Sequence, residues 1–368
     1  MYKNEMKKKI IFFMPSFEGG GVEKNIIIIA NNFILRNINV SIITASKKIK
    51  KRFSKKIDFI SPKSNFWDSK NRSIKYIICI FFLFINFLKD KKFYVFCFQG
   101  NIICTLFCKF FGIKIIIRPN SSPSGWSKNF LKKILFSKVL KLANRTIVNS
   151  IEFKKELKNH FDLESKCIYN PLNKNEIKKL SKKKIKFNFF KKNYVNIISV
   201  GRLVYQKDHI TILKSINDLK NKSKLRLLII GEGDQKHKLT NFIKKNNLNN
   251  IIKIKDRMEN PFPYISKSQI MILSSHFEGL PNVLLEGLAL KKFIISSDCP
   301  TGPKEILDNG KGGFLFKIGN HLELSKIILS YEKNYNLFVK KKNFSQKRLD
   351  RFDYKKNLDQ YFNLFNDL

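Results

Sequence analysis

The sequence predicts an α/β protein of two domains, each a parallel β-sheet flanked by helices, and three observations support this prediction. The chain has 368 residues, which is longer than one average domain. Hydrophobic residues make up 43% of it, so each half can bury a core. Short apolar runs alternate with longer helical patterns from end to end, which is typical of βαβ units.

The first domain is predicted over residues 1–172 and ends at the Asn170-Pro171 pair. A Lys-rich segment with little periodicity, residues 173–193, is predicted to be the linker. The predicted strands are at 8–14, 39–44, 93–98, 113–117 and 145–149. The predicted helices are at 22–36, 74–89, 127–142 and 151–159.

The second domain is predicted over residues 194–344 and has the clearer alternation of the two. A final helix over 345–368 is expected to pack back on the first domain. The predicted strands are at 195–200, 225–230, 251–254, 270–274, 293–297 and 313–316. The predicted helices are at 207–220, 234–246, 261–267, 282–291, 302–308 and 321–333.

The composition is dominated by a formal net charge of +44. Overuse of Lys, Asn, Ile and Phe together favours a compositional bias, while attraction to nucleic acid or to an anionic membrane is the functional alternative. The six cysteines are scattered, with no zinc-ligand spacing, and are expected to be reduced. The amino terminus is interpreted as the first strand of a cytoplasmic protein, because its apolar run is too short for a signal peptide.

One apolar stretch, Ile77–Leu88, has two interpretations. It is too short to span a bilayer, which takes about 20 residues. A buried helix packed on the sheet is favoured, and a segment that lies at a lipid interface between flanking lysines is the alternative.

In parallel α/β sheets, ligands bind beyond the carboxyl ends of the strands, so the loops there are the candidates for a site. Gly19–Gly21 follow the first strand, and their backbone suits either an anion or a tight turn. Arg202 and Lys207 follow the first strand of the second half, where two cations suit a diphosphate or a solvated surface. Glu278 and Glu286 follow a later strand and offer acceptors for sugar hydroxyls.

Several common motifs for metal binding, nucleotide binding and hydrolysis are absent from the sequence. No D-x-D occurs, so no metal that bridges a diphosphate is predicted, and no cofactor is expected. The P-loop, H-E-x-x-H and G-x-S-x-G patterns are also missing. Gly231–Asp234 is interpreted as a turn in which Asp234 caps the next helix.

Taken together, these motifs resemble those of retaining glycosyltransferases of family 4, which have the GT-B fold of two Rossmann-like domains facing across a cleft. The segment from Glu278 to Glu286 is similar to their Glu-x7-Glu signature. The other matching segments occur in the family's order and are Gly19–Glu23, Gly201–Asp208, Ile230–Gly233 and Gly302–Ile306. The resemblance covers most of residues 8–345 and is strongest over 195–316.

The resemblance implies a role for each site residue. Arg202 and Lys207 would neutralise the leaving nucleoside diphosphate, and Glu278 would hold the transferred sugar. Glu286 would bind the ribose. The remaining contacts to the donor would come from Gly20, Gly21, Arg257, Gly279, Leu280 and Asn282. Many family members have a histidine near the sugar in the first domain, where this chain reads Phe98-Gln99-Gly100-Asn101.

The resemblance also implies a hexosyltransferase without a metal that uses a UDP-sugar and a glycan or lipid-linked acceptor for bacterial surface polysaccharide or lipopolysaccharide. Arg118 is assigned either to the acceptor side or to the solvated surface. The expected location is cytoplasmic and peripheral, at the inner face of an anionic cytoplasmic membrane. The alternatives are a UDP-sugar epimerase or phosphorylase on the same fold, and a nucleic-acid-binding protein. No motif for specific nucleic-acid recognition supports the latter.

Overall fold

A computed structural model of the chain describes residues 8–17, 19–47, 50–120 and 130–368. The chain forms two compact units, of which the first comprises Met1–Pro171 with Lys355–Leu368 and the second Leu172–Tyr354. Each unit contains one sheet of parallel strands with helices on both faces. The predicted pair of Rossmann-like α/β domains is therefore confirmed.

The sheet of the first unit has seven strands in the order β3-β2-β1-β4-β5-β6-β7. Its strands are β1 Lys9–Phe13, β2 Asn39–Ile43, β3 Asp58–Ile60, β4 Tyr94–Cys97, β5 Ile115–Ile117, β6 Arg145–Val148 and β7 Lys166–Cys167. Most inner-strand residues are apolar and buried, as expected for a sheet covered on both faces. The short strands β3 and β7 were not predicted from the sequence.

The helices of the first unit divide between the two faces of this sheet. They are α1 Gly21–Leu35, α2 Arg72–Lys89, α3 Asn101–Phe110, α4 Phe130–Leu140, α5 Ile151–Phe161 and, from the end of the chain, the helix Tyr354–Asn366. Buried residues of α2, α3, α4 and α5 share one core cluster on one face. On the other face, Phe33 of α1 contacts Phe12 and Phe365, with ring centroids 5.8 and 5.5 Å apart.

The apolar stretch Ile77–Leu88 lies in helix α2, which packs on the sheet as expected but is buried on one side only. Only Cys79 and Leu83 of this helix are buried, and they pack into the core. Ile77, Phe81 and Leu88 are exposed by 63, 58 and 63%. The helix therefore packs on the sheet along one narrow stripe, because a helix on a sheet can bury only one face.

The sheet of the second unit has six strands in the order β10-β9-β8-β11-β12-β13. They are β8 Val195–Val200, β9 Leu225–Ile230, β10 Ile252–Lys255, β11 Ile270–Leu273, β12 Phe293–Ser297 and β13 Phe314–Phe316. All six were predicted from the alternation of apolar runs. The helices of this unit are α6 Lys174–Ser181, α7 His209–Leu219, α8 Lys236–Lys245, α9 Phe262–Ser266, α10 Asn282–Ala289, α11 Pro303–Ile306, α12 His321–Lys333 and α13 Tyr335–Lys347.

Residues 173–193 were predicted to be a linker without regular structure, but they contain helix α6. The side chain of Asn173 caps this helix by accepting a hydrogen bond from the N–H of Glu176, at 3.1 Å. Ile177 anchors the helix as a buried residue of the second unit. The N-x-x-E capping signal was present in the sequence, but the surrounding lysines obscured it.

The final segment also differs from the single helix expected over 345–368. Helix α13 ends at Lys347, a 3-10 turn covers Leu349–Phe352, and helix α14 covers Tyr354–Asn366. Residues Lys355–Leu368 belong to the first unit. Across the described residues, none of the helices has the length and hydropathy needed to cross a membrane.

Candidate functional site

The second unit has a topological switch point between β8 and β11. These strands are neighbours in the sheet, but the chain continues from β8 toward β9 and from β11 toward β12. The loops after the two strands therefore leave the carboxyl edge in opposite directions and open a crevice there, which is the usual ligand position in such sheets. These loops contain Arg202 and Lys207 after β8, and Glu278 after β11.

Lys207 and Glu278 form a buried ion pair at this point. The Lys207 Nζ lies 2.5 Å from Glu278 Oε1, and the two side chains are only 14 and 9% exposed. Ser275 donates a second hydrogen bond to the same oxygen, at 2.6 Å. A buried carboxylate with a cation and a hydroxyl on one oxygen is well stabilised, and its other oxygen can accept further hydrogen bonds.

Gln206 joins the two loops, although the sequence did not single it out. Its Oε1 accepts a hydrogen bond from Arg202 Nη2 at 3.3 Å, and its Nε2 donates to the Phe277 carbonyl at 2.8 Å. The N–H of His276 donates to the Gln206 carbonyl at 2.8 Å. Arg202 is thereby held beside the Glu278 loop.

The loop after β9 supports the loop after β8 through close backbone packing. A Cβ on Gly231 would lie 1.9 Å from the Gly201 carbonyl oxygen, so only glycine fits there. The N–H of Leu203 donates to the Glu232 carbonyl at 2.7 Å. The predicted cap by Asp234 is wrong, because helix α8 has Gln235 at its N-cap position and no side-chain cap. The turn is stabilised by backbone contacts instead.

The loop after β12 holds the Glu278 loop from the opposite side. Thr301 donates from its hydroxyl to the Glu278 carbonyl at 2.7 Å. Thr301 has a φ of 60°, which is strained for a β-branched residue. Gly302 has a φ of 87°, and a Cβ on it would lie 2.0 Å from the Gly279 carbonyl oxygen. Sequence reasoning missed Thr301 because its contact depends on which strands are neighbours.

Helix α10 begins immediately after the Glu278 loop. Asn282 is the first residue of the helix, and Pro281 takes the N-cap position without a side-chain cap. Gly279 and Leu280 lie between Glu278 and the helix, and Leu280 is buried. Glu286 is buried in the second turn of α10. The start of α10 provides backbone N–H groups suited to an anion.

Arg257 lies apart from this cluster. It follows β10 and is exposed at the same carboxyl edge, two strands away from β8. At about 4.8 Å between neighbouring strands, its backbone is roughly 10 Å from the end of β8 along the sheet. It therefore lies at the same carboxyl edge as the Lys207–Glu278 pair.

Burial determines the ionisation of two groups near the pair. Burial, with a smaller contribution from Lys207, lowers the pKa of His209 to about 3, so its imidazole is neutral at pH 7. Burial, aided by the charge of Glu278, raises the pKa of Cys299 to about 12, so its thiol stays protonated. Neither of these two groups therefore adds a charge near the crevice at pH 7. Among the described residues, no cluster of His, Cys, Asp and Glu is arranged to hold a metal ion.

The predicted glycine loop lies in the first unit and is described there by itself. Gly20 takes the N-cap position of α1 and Gly21 is its first residue. Among the described residues, no atom lies within 4 Å of a Cβ built on Gly20. Glu23, buried in the first turn, accepts a hydrogen bond from the N–H of Gly19.

The segment that replaces the family's histidine lies beside this loop. Gln99 Oε1 accepts a hydrogen bond from the N–H of Ser16 at 2.9 Å, so its side chain braces the backbone. Asn101 begins α3, and its Oδ1 is buried without a hydrogen-bond partner among the described residues. This unpaired oxygen is available to a hydroxyl donor.

The alternative that places Arg118 on the solvated surface is wrong. Arg118 follows β5 and is 0% exposed. Its Nε donates to Tyr361 Oη at 3.0 Å, its Nη2 to Asn170 Oδ1 at 2.6 Å, and its Nη1 to Asn120 Oδ1. The guanidinium therefore ties α14 to the sheet, since its fork of donors can reach three partners at once.

Comparisons with known proteins agree with this geometry. Residues 181–348 match the family model described as glycosyl transferases group 1. An uncharacterized glycosyltransferase of Methanocaldococcus jannaschii is 34% identical over 191 residues, which are 48% of this chain and 47% of that protein. The chain thus aligns with about half the length of this relative.

A second relative aligns over more of its length. It is the N-acetylgalactosamine-N,N'-diacetylbacillosaminyl-diphospho-undecaprenol 4-alpha-N-acetylgalactosaminyltransferase of Campylobacter jejuni, 28% identical over 71% of this chain and 72% of that protein. Among solved structures, Anabaena HepE in complex with UDP-glucose has a TM-score of 0.79 over 98% of this chain and 100% of that one. At 15% identity, this likeness establishes the shared GT-B fold alone. Residues 181–348, which lie in the second unit, are therefore similar to the glycosyl transferases group 1 family.

Proposed function

We propose that this protein transfers a hexose or N-acetylhexosamine from a UDP-sugar to a lipid-linked glycan acceptor in the synthesis of bacterial surface polysaccharide or lipopolysaccharide. The observation that supports this proposal most directly is the buried Lys207–Glu278 pair at the switch point of a group 1 domain. A fixed cation beside a carboxylate suits a substrate with a diphosphate at one end and sugar hydroxyls at the other.

The proposed chemistry follows from these charges. When the bond between the sugar and the diphosphate breaks, negative charge grows on the leaving UDP. Arg202 and Lys207 stabilise it from positions already fixed by Gln206 and Glu278. Glu278 accepts hydrogen bonds from the hydroxyls of the transferred sugar. Transfer proceeds with retention of configuration and without a metal ion.

The donor site extends along the carboxyl edge of the second unit. The backbone N–H groups at Gly279, Leu280 and Asn282 bind the phosphate and sugar. Glu286 accepts hydrogen bonds from the ribose hydroxyls, and Arg257 flanks the base.

The name of the Campylobacter jejuni relative supports the acceptor and sugar classes. That protein acts on a diphospho-undecaprenol glycan with N-acetylgalactosamine, so an N-acetylhexosamine and a lipid-linked acceptor are proposed first for this chain. We therefore propose that the protein works at the inner face of the cytoplasmic membrane. A net charge of +44 favours contact with anionic lipid there, without specific nucleic-acid binding.

The test of the donor site is calorimetric titration of UDP, and of GDP in parallel, into wild-type protein and Glu286→Gln. We expect wild type to bind UDP more tightly than GDP. The variant should bind UDP about 10- to 100-fold more weakly, because a charged hydrogen-bond acceptor is worth about 1.5–3 kcal/mol. The matched control is Glu332→Gln, an exposed helical carboxylate of the same unit.

Two results would refute the proposal. Folded wild type that binds neither nucleotide would remove the donor assignment, and equal affinity of wild type and Glu286→Gln would remove Glu286 from the site. A UDP-sugar epimerase or phosphorylase remains the alternative reaction on this fold. Release of free UDP in proportion to the sugar transferred would exclude it.

A further inference from the structure

Large apolar side chains are exposed on three neighbouring helices of the first unit. Those on α2 lie along one face, at spacings of four and seven residues, as expected for a helical stripe. On α3 and α4 the exposed pairs are each four residues apart. We name this set the outer apolar face, and it consists of Ile77, Phe81, Leu88, Leu106, Phe110, Leu131 and Leu135.

These three helices present their exposed sides in the same direction. Cys79 of α2, Cys104 of α3 and Leu140 of α4 are buried in one core cluster against the same side of the sheet. The sides opposite these residues therefore form one layer that faces away from the sheet. Ring contacts join α2 to the end of α3, since Phe111 lies 4.8 Å from Phe87 and 4.9 Å from Phe110 between centroids.

The helices of the outer apolar face carry charges of one sign, although Asp90 follows α2 directly and pairs with Lys9. The segments of α2, α3 and α4 contain no Asp or Glu. They contribute instead the exposed lysines Lys89, Lys109, Lys132 and Lys138, followed after α2 by Lys91 and Lys92. Solvated helices of the second unit differ, because α12 places Glu323 and Glu332 among its lysines.

We propose that the outer apolar face, with its surrounding lysines, docks this protein on an anionic lipid bilayer. The apolar side chains enter the boundary between headgroups and acyl chains, and the ammonium groups stay at the level of the phosphates. An apolar face on helices that carry cations and no carboxylates is complementary to a surface with apolar depth and negative charge. An interface with an ordinary soluble partner would have both signs of charge at its rim.

This inference rests on the proposed function, because an enzyme with a lipid-linked acceptor has to reach that acceptor at a bilayer. It explains why only Cys79 and Leu83 of α2 are fully buried. It also fixes an orientation, since the face of the sheet that carries α2, α3 and α4 would lie toward the membrane. The test below does not measure sugar transfer, so either proposal can fail without the other.

The experiment is co-sedimentation of the full-length protein with phosphatidylcholine vesicles, with and without phosphatidylglycerol. The test variant is the triple change Ile77→Gln, Phe81→Gln and Leu88→Gln. We expect wild type to prefer the anionic vesicles. The triple variant should partition about 10- to 100-fold more weakly, because three half-exposed apolar side chains no longer enter the lipid.

The matched control is the triple change Leu322→Gln, Tyr335→Gln and Leu337→Gln in the second unit. These side chains are exposed by 58, 53 and 43%, so a comparable apolar surface is removed from another place. We expect this control to partition like wild type. Equal partitioning of the test variant and wild type would overturn the proposal, because binding would then come from diffuse charge alone.

A single-residue probe measures depth without depending on the triple variant. In Phe81→Trp, the new indole should be quenched by brominated acyl chains in anionic vesicles beyond the background of the two native tryptophans. Leu322→Trp should show no added quenching. Absence of quenching at position 81 in vesicle-bound protein would overturn the proposal. So would a dimer that the triple variant breaks without any change in vesicle binding, because a second copy would then occupy the face.

Discussion

The two units share one strand pattern but differ in the chemistry at the carboxyl edges of their sheets. In the second unit, this edge contains the Lys207–Glu278 ion pair, with Arg202 held beside it. In the first unit, the corresponding edge contains the amides of Gln99 and Asn101. Arg118, which is the cation described at this edge, is fully buried.

This difference shows that topology and chemistry are set separately. The order 3-2-1-4-5-6 is common to both sheets and opens a crevice beside the first strand of each. The loop residues then decide what the crevice can bind. Fixed charges suit a diphosphate, whereas neutral amides suit hydroxyl groups of a glycan. A division into a donor side and an acceptor side would follow from this difference.

The largest expected effect comes from removing the charge of the ion pair. Glu278→Gln should lower kcat for sugar transfer about 100- to 1,000-fold, because Lys207 loses its fixed partner and the sugar loses a charged acceptor. UDP affinity should change little, in contrast to Glu286→Gln. Initial rates and calorimetry on the same preparation measure both quantities.

The exposed carboxylate variant Glu332→Gln is the control for this prediction and should retain wild-type kcat. A Glu278→Gln enzyme with wild-type kcat would contradict the catalytic assignment of this pair.

A smaller effect is expected from the backbone contact that supports the pair. Gly302→Ala should destabilise the second unit by about 3 kcal/mol, because the added Cβ would overlap the Gly279 carbonyl and the positive φ would be strained. The control Gly319→Ala has a φ of 74° but no atom within 4 Å of the new Cβ. It should lose only about 1 kcal/mol, from the backbone strain alone.

Urea unfolding followed by circular dichroism gives both free energies of unfolding. If Gly302→Ala and Gly319→Ala are equally stable, the packing of the loop after β12 against the Glu278 loop contributes nothing. The difference between the two variants isolates the steric contact from the strain.

The smallest expected effect concerns the buried cation of the first unit. Arg118→Lys should destabilise that unit by about 2 kcal/mol, because one ammonium cannot satisfy Asn120, Asn170 and Tyr361 together. The control Arg145→Lys, at an exposed position of β6, should have wild-type stability. If the donor site lies in the second unit as proposed, UDP affinity should be unchanged in both variants.

Thermal unfolding and UDP titration check this prediction together. Wild-type stability of Arg118→Lys would show that α14 is held without the guanidinium. A selective loss of acceptor use without loss of stability would return Arg118 to the acceptor side.

Much of the fold was predictable from the sequence because apolar runs identify buried strands directly. All six strands of the second unit were predicted, and so were β1, β2, β4, β5 and β6 of the first. The short strands β3 and β7 were missed because two or three residues leave no period to detect. Helix α6 was missed because its capping signal lies in a Lys-rich segment.

The site was predictable only as a set of positions. The sequence placed Arg202, Lys207 and Glu278 in loops after strands, and the structure brings the last two together. Gln206 and Thr301, which hold these loops, were not predicted. Their side chains donate hydrogen bonds to backbone carbonyls. Every residue type has a backbone carbonyl, so the sequence of the partner segment does not indicate such a contact.

The sequence by itself determined that the chain forms two parallel sheets and that polar loops follow their strands, because periodicity and loop composition are local properties. The tertiary structure decided which of those loops meet. Lys207 pairs with a residue 71 positions away, and Arg118 bonds to Tyr361 across 243 positions. Such partners are set by the order of strands in each sheet, and no local pattern along the chain specifies that order.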